Sequence, residues 1–349
     1  MDKLLRFLKD WTLPVAIAVG TTSYLTFYHV EALDTLGDQL APVFDVIFPL
    51  FVFLVLFVTF CKVDFHQMRP HRWHTGVLVA QLLLVAVNIA VILYLKDSEA
   101  STAVANSSFF SDPWSECGVA ITLHSSLSTL HSSLLWEALL TCIIGPAASA
   151  APVVVGKLGG NISTMTTYVI LSSLASTVLI PLVFPILEPA AGVTFLRAFL
   201  IILEKVCIVL LLPLVLGWIM QHYVKGLCAR ITAMPNLSFY LWGCSLSITT
   251  GITVKNIVHS EASITLLGAI AVATFILCFI QFGIGRLIGR HLGEEVNAGQ
   301  SLFQKNTALS IWVAYMYLNP IASVGAGCYV LWQNIINSLE LWQYRRQQA

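Results

Sequence analysis

The chain has 349 residues, of which 57% are hydrophobic and 10% charged, with eighteen basic side chains against eighteen acidic ones. Soluble domains carry about 25% charged residues, so this composition excludes an ordinary soluble protein. Zero formal charge also excludes a nucleic-acid partner held by a basic field. The chain reads as all-α and integral to a lipid bilayer.

Apolar segments near the ~20 residues that a bilayer requires recur along the whole sequence. They fall at 13–30, 43–60, 75–95, 134–156, 162–187, 199–223, 237–254, 264–285, 302–318 and 322–341. The first follows Met1-Asp2-Lys3-Leu4-Leu5-Arg6, but it is too long for a signal-peptide core and lacks an A-x-A-like cleavage site, so it counts as a span. Residues 96–133 form the one long hydrophilic connection, Ser-rich with Asp97, Glu99, Asp112 and Glu116, and read as a surface loop on the outside. An inside N-terminus puts Lys3, Arg6, Lys9, Lys62, Arg69, Arg72, Lys157, Lys225, Arg230, Arg286, Arg290, Arg345 and Arg346 on the cytoplasmic side. Only Lys96, Arg197 and Lys255 are left outside, with Lys205 and Lys305 within spans. That bias predicts ten transmembrane helices with both termini cytoplasmic, in an inner (plasma) membrane of bacterial type.

Ten spans divide near Glu188-Pro189 into residues 1–189 and 190–349, five spans each. An odd number per half makes these inverted repeats, a plan common among secondary transporters. The fourth span of each half is broken. Span four contains Gly145-Pro146 and Pro152 and runs on to Gly156, while span nine is interrupted by Gln304-Lys305-Asn306-Thr307. Irregular backbone at membrane depth is tolerated where it lines a cavity or is buried in protein, and paired breaks at corresponding positions point to a transport site. Half-helices restarting near Pro152 and Thr307 direct N–H groups and positive dipole ends toward an anion. Lys305 adds a full charge, and an ionisable residue inside the membrane is a functional-site hypothesis by default. Snorkelling to the interface is the competing account, set against the apolar residues on each side of Lys305 along its span.

The remaining signals are weaker. The cysteines at 61, 117, 142, 207, 228, 244, 278 and 328 lack ligand spacing and read as small hydrophobes. Gly283, Gly285 and Gly289 read as close helix packing rather than a dinucleotide motif. Asp45 and Glu137 lie near span ends, where interfacial placement suffices, and Glu204 with Lys205 read as a local pair or as snorkelling. Ser245, Ser247, Thr249, Thr250 and Thr253 make one side of span seven polar, through either cavity lining or interhelical hydrogen bonds. No catalytic triad, HExxH, P-loop or paired intramembrane carboxylate appears, so no enzyme, metal or cofactor is expected.

Several segments together resemble the bile acid:sodium symporter family. They are Asp10-Trp11-Thr12-Leu13-Pro14-Val15-Ala16, Leu56-Phe57-Val58-Thr59-Phe60-Cys61-Lys62-Val63, the broken span four running into Lys157-Leu158-Gly159-Gly160-Asn161, Lys305-Asn306-Thr307-Ala308-Leu309 and Trp332-Gln333-Asn334-Ile335. The likeness covers nearly the whole chain, carried by the order of the segments rather than by any one of them. It implies a panel domain from spans one, two, six and seven and a core domain from the other six, with spans four and nine crossing at their unwound centres. It also implies alternating-access transport of bile acids or small carboxylates, often with sodium. The sodium-site positions depart from the family pattern. Ala151 and Pro152 stand where a Ser-Asn pair is expected, Ser301 replaces the shared acidic residue and Lys305 replaces a glutamine, beside Gln304. Gln81 persists, and hydroxyls are available at Ser172, Ser173, Ser176 and Thr177. Substrate-side positions correspond to Ser149, Asn306, Thr307 and Asn334.

The expectation is a secondary transporter of a small organic anion, sodium-independent because Lys305 supplies the charge of a coupling cation. Proton exchange on Lys305 and facilitated diffusion both stay open. The alternatives are a sodium-coupled symporter with a rearranged ion site, or a membrane sensor that binds an organic anion without moving it. Oligomeric state is left open.

Overall fold

A computed structural model describes residues 12–30, 34–63, 68–109, 132–234, 237–259 and 262–348. Among these residues the elements are helices: α1 Thr12–His29, α2 Asp34–Cys61, α3 Arg72–Phe109, α4 Ser132–Ile144, α5 Ala151–Lys157, α6 Ile162–Leu187, α7 Phe195–Tyr223, α8 Lys225–Thr232, α9 Leu237–Val258, α10 Ile264–Leu292, α11 Glu295–Phe303, α12 Thr307–Tyr317 and α13 Pro320–Gln348. Four are by length and hydropathy sufficient to cross a membrane: α3 over Arg72–Ser98, α6, α7 and α10. Spans four and nine are each split, into α4 with α5 and α11 with α12.

The helix ends follow local chemistry. Asn161 caps α6 by accepting from the Ser163 and Thr164 N–H groups, and Ser263 caps α10 by accepting from Leu266. Gly293, with φ of 79°, ends α10 in the left-handed conformation that glycine adopts without strain. One expectation is corrected. The connection expected as loop from residue 96 is helical as far as Phe109, in a stretch where no glycine or proline occurs between Lys96 and Pro113. The rest of that connection, with Asp112, Glu116 and Cys117, lies outside the described residues.

The packing links the helices in two sets that also touch each other, through α6 against α7 and α9 against α13. In one, α1 lies against α9, and α2 against both α7 and α9. In the other, α10 packs on α11 and α13, while α3 touches α6, α10 and α11. Small residues permit the close approaches. A Cβ on Gly20 would strike the Ser247 backbone, one on Gly285 the Ala298 backbone and one on Gly325 the Ala138 backbone. Gly285 and Gly289 thus serve the α10–α11 contact. Cys61, Cys142, Cys228 and Cys278 are buried free thiols, and Glu204 and Lys205 are exposed on α7.

Candidate functional site

The two breaks meet. Ala147 and Lys305 form an isolated antiparallel bridge, in which the Ala148 N–H donates to the Gln304 carbonyl at 2.8 Å and the Asn306 N–H to the Pro146 carbonyl at 2.9 Å. Gly145 allows the close approach of α12 here, because a Cβ at that position would meet Ser310 Oγ.

A broken helix leaves carbonyls at its C-terminal end that must find donors when buried. For α4 the donors come from three other helices. Gln281 Nε2 of α10 reaches the Cys142 carbonyl at 3.4 Å. Gln81 Nε2 of α3 donates to the carbonyls of Ile143 at 3.0 Å and Gly145 at 3.1 Å. Ser176 Oγ of α6 donates to Ile144 at 2.8 Å, and Ser172 Oγ accepts from the Ala147 N–H at 3.0 Å. For α11, the Tyr329 hydroxyl donates to the Phe303 carbonyl at 2.8 Å and itself accepts from Gln281 Nε2 at 2.9 Å. Gln281 and Tyr329 therefore tie both broken ends into one buried network.

Lys305 stands at the first irregular residues after α11, with only 1% of its surface exposed. Its backbone is held and its ammonium is not: Nζ has no hydrogen-bond partner among the described residues. Partial negative charge at the C-terminal end of α11 favours a cation there. Among the described residues the Cys142 thiol is near enough to interact with the ammonium, and no carboxylate is.

A narrow cleft opens beside the crossing, lined by Ala148, Ser149, Ala150, Gln304, Lys305, Asn306, Thr307, Ala308 and Gln333 on one side, and by Val52, Val55, Trp242 and Ser245 of α2 and α9 on the other. Its enclosed space is about 20 Å³, room for about one water molecule. Three buried polar atoms of its lining residues lack partners: Lys305 Nζ, Gln304 Oε1 and Ser245 Oγ. The N–H groups of Ser149, Ala150 and Ala308 make no backbone hydrogen bond either. The lining contains no acidic residue. Donors dominate, which suits an anion.

Of the positions singled out in the sequence, Ser149, Gln304, Lys305, Asn306 and Thr307 are brought together. Asn306 has a second duty, since its Oδ1 accepts from the Leu309 N–H at 3.2 Å and caps α12. Asn334 is not part of the lining; its Nδ2 donates to Val330 O of its own helix at 2.8 Å. The neighbouring Gln333 takes the place beside Lys305. Gln333, Gln281 and Tyr329 were missed as contributors, because a lone amide or phenol in an apolar span reveals nothing of its partner.

The ion-site positions offer little to sodium. Ala151 and Pro152 are buried without side-chain oxygens. Ser301 Oγ donates to Ala298 O at 2.8 Å and Ser173 Oγ to Val169 O at 2.7 Å, both within their own helices. Gln81 presents its NH₂ group to the carbonyls that a cation would otherwise use. A hard cation requires a cage of oxygens, and at these positions Gln304 keeps a buried oxygen, Oε1, without a partner among the described residues.

A family model described as "Sodium Bile acid symporter family" matches residues 110–260. The matched residues hold the first break and the α9 wall of the cleft and end before Lys305. No curated protein matches the chain. With its apolar helices, the match supports an integral membrane protein that is similar over residues 110–260 to the sodium bile acid symporter family, a family of transporters.

Proposed function

We propose that the chain is a secondary transporter of a small organic anion, working by alternating access between a panel of α1, α2, α7 and α9 and a core of the remaining spans. Residues 1–189 and 190–349 are read as inverted halves that cross at the Ala147–Lys305 bridge. The breaks fall in the fourth span of each five, and their antiparallel meeting supports that symmetry. Both termini are assigned to the cytoplasmic side of an inner membrane on the basic-residue bias.

One observation carries the reading: Lys305 lines the cleft at the crossing, and its buried ammonium has no hydrogen-bond partner among the described residues. An isolated charge removed from water is strongly unfavourable unless paired, and a carboxylate entering the cleft supplies the pair. Sites for organic ligands occupy about 300–1,000 Å³, so the closed cleft must widen between panel and core to admit one. The same ammonium stands where a coupling cation is expected, and transport is therefore sodium-independent.

Uptake into proteoliposomes tests this, with radiolabelled pyruvate as the small carboxylate and taurocholate as the bile-acid probe, in sodium buffer and in choline buffer. Equal uptake in both buffers is expected. Strict dependence on sodium overturns the role given to Lys305. Binding of both probes without flux points instead to an anion sensor.

A further inference from the structure

A second charged cluster lies at one end of α4. Lys96 Nζ of α3 contacts Glu137 Oε1 of α4 at 2.8 Å and Glu188 Oε1, just past α6, at 2.6 Å, and donates to the Leu187 carbonyl at 2.8 Å. One ammonium thus serves two carboxylates, whose bonded oxygens are neighbours because they share a nitrogen. The side chain of Glu188 is 43% exposed and that of Lys96 29%, whereas Glu137 is 1% exposed. Water can solvate the charge on Glu188. Among the described residues Glu137 is shielded from it, and its second oxygen, Oε2, is buried without a hydrogen-bond partner.

That imbalance has a chemical remedy. The cluster carries one negative charge in excess, and the uncompensated oxygen belongs to the buried carboxylate, a group whose charged form is expensive away from water. A metal ion is a poor occupant, because it would sit beside the Lys96 ammonium. A proton adds no second cation to the cluster: it joins Glu137 Oε2 and makes the residue a neutral carboxylic acid. The titratable or charged groups facing Glu137 among the described residues are Lys96 from α3 and Glu188 from the end of α6. On the α10 and α13 side the adjoining Ala138 packs on Leu266, Ile270 and Val324, which bring none.

Glu137 is also mechanically linked to the crossing. At 1.5 Å per residue it lies roughly 12 Å along α4 from Gly145, on a half-helix whose other end is gripped by Gln81, Ser176 and Gln281. Resting on the transport reading above, we infer that Glu137 is a proton-binding site of the transport cycle: it takes a proton from the aqueous side through the exposed Lys96–Glu188 edge, and gives it up when α4 shifts with the crossing. Co-movement of one proton with a monoanion makes the step electroneutral and supplies a driving force without sodium.

Two measurements on the full chain separate this inference from its foundation. In lipid nanodiscs, infrared difference spectra between acidic and alkaline buffer should contain a carboxylic C=O band that is absent from Glu137→Gln. The band should also be lost from Glu188→Gln, which leaves one carboxylate to one ammonium. In proteoliposomes, a pH gradient of one unit, acid outside, should raise accumulation of whichever probe is carried, pyruvate or taurocholate, by about tenfold for one coupled proton. That ratio should fall to one in Glu137→Gln. A band that survives in Glu137→Gln, or an unchanged gradient effect in a variant that still carries the probe, overturns the assignment. Absence of flux for both probes in the parent protein, with the Glu137 band present, defeats the transport reading while leaving the proton site standing.

Discussion

Gln333 grips Lys305 by the backbone rather than by the side chain: its Oε1 accepts from the Lys305 N–H at 3.2 Å and its Nε2 faces the Lys305 carbonyl at 3.5 Å. The long side chain of Lys305 is consequently fixed at its root and unpaired at its tip. Gln333→Leu leaves the buried Lys305 N–H without its acceptor, at about 1–3 kcal/mol, while the Lys305 carbonyl keeps the Thr307 N–H at 2.9 Å. Thermal unfolding in detergent should shift down by several degrees and probe uptake should fall about tenfold or more. Asn334→Leu removes only a bond within its own helix, averaging about 0.6 kcal/mol in membrane proteins, and should change uptake by less than about threefold. Equal losses from the two variants would contradict the placement of Gln333 at the crossing.

Lys305→Met should separate stability from function. A buried ammonium without a partner destabilises the empty protein, and replacing buried charges by apolar groups of similar volume is often neutral or stabilising, by about 1–4 kcal/mol. The unliganded variant should melt at the same temperature as the parent or a few degrees higher, while anion uptake is lost. A melting temperature several degrees lower, measured in the same detergent, would mean that the ammonium has a stabilising partner in the ligand-free state.

Lys305→Gln restores the amide that the resemblance places at this position, yet it should not create sodium-dependent uptake. The Ile143 and Gly145 carbonyls remain engaged by Gln81, Ser301 supplies no carboxylate, and the oxygen cage stays incomplete. Uptake by this variant should be low in both sodium and choline buffer. Sodium stimulation would show that the cage is closer to complete than these hydrogen bonds allow.

The crossing offers a sharp steric test. Gly145→Ala places a Cβ against Ser310 Oγ, whereas Ser310 Cβ lies 3.8 Å from the same point, an ordinary contact. Gly145→Ala should therefore destabilise the protein by about 1–3 kcal/mol, in the range of overpacked cores. Ser310→Ala in the same chain should recover most of that loss. A double-mutant cycle with strictly additive effects would separate the two residues.

Releasing the end of α4 should be more damaging than removing a hydroxyl from within α6. Gln81→Leu removes donors from two buried carbonyls at once, at about 1–3 kcal/mol for each. Protein yield and unfolding temperature should both drop. Ser173→Ala, which removes only a bond back to Val169 of the same helix, should leave them nearly unchanged.

The four membrane-length helices, the two breaks and the buried lysine were legible in the sequence because they are properties of consecutive residues. A bilayer demands about 20 apolar residues at a stretch, and Gly145-Pro146 and Gln304-Lys305-Asn306 interrupt such stretches locally. Pairing is different. Whether Gln81 holds a cation or donates to Gly145 depends on a partner 64 residues away, and the distinction between Gln333 and Asn334 depends on which of two adjacent side chains points toward a backbone 28 residues distant. Glu137 likewise looked interfacial until α3 and α6 brought Lys96 and Glu188 to it. The sequence alone determined that a charge is placed at a broken membrane helix. Tertiary packing decided which polar atoms are satisfied, because hydrogen bonds are completed through space by donors whose positions the local chain does not encode.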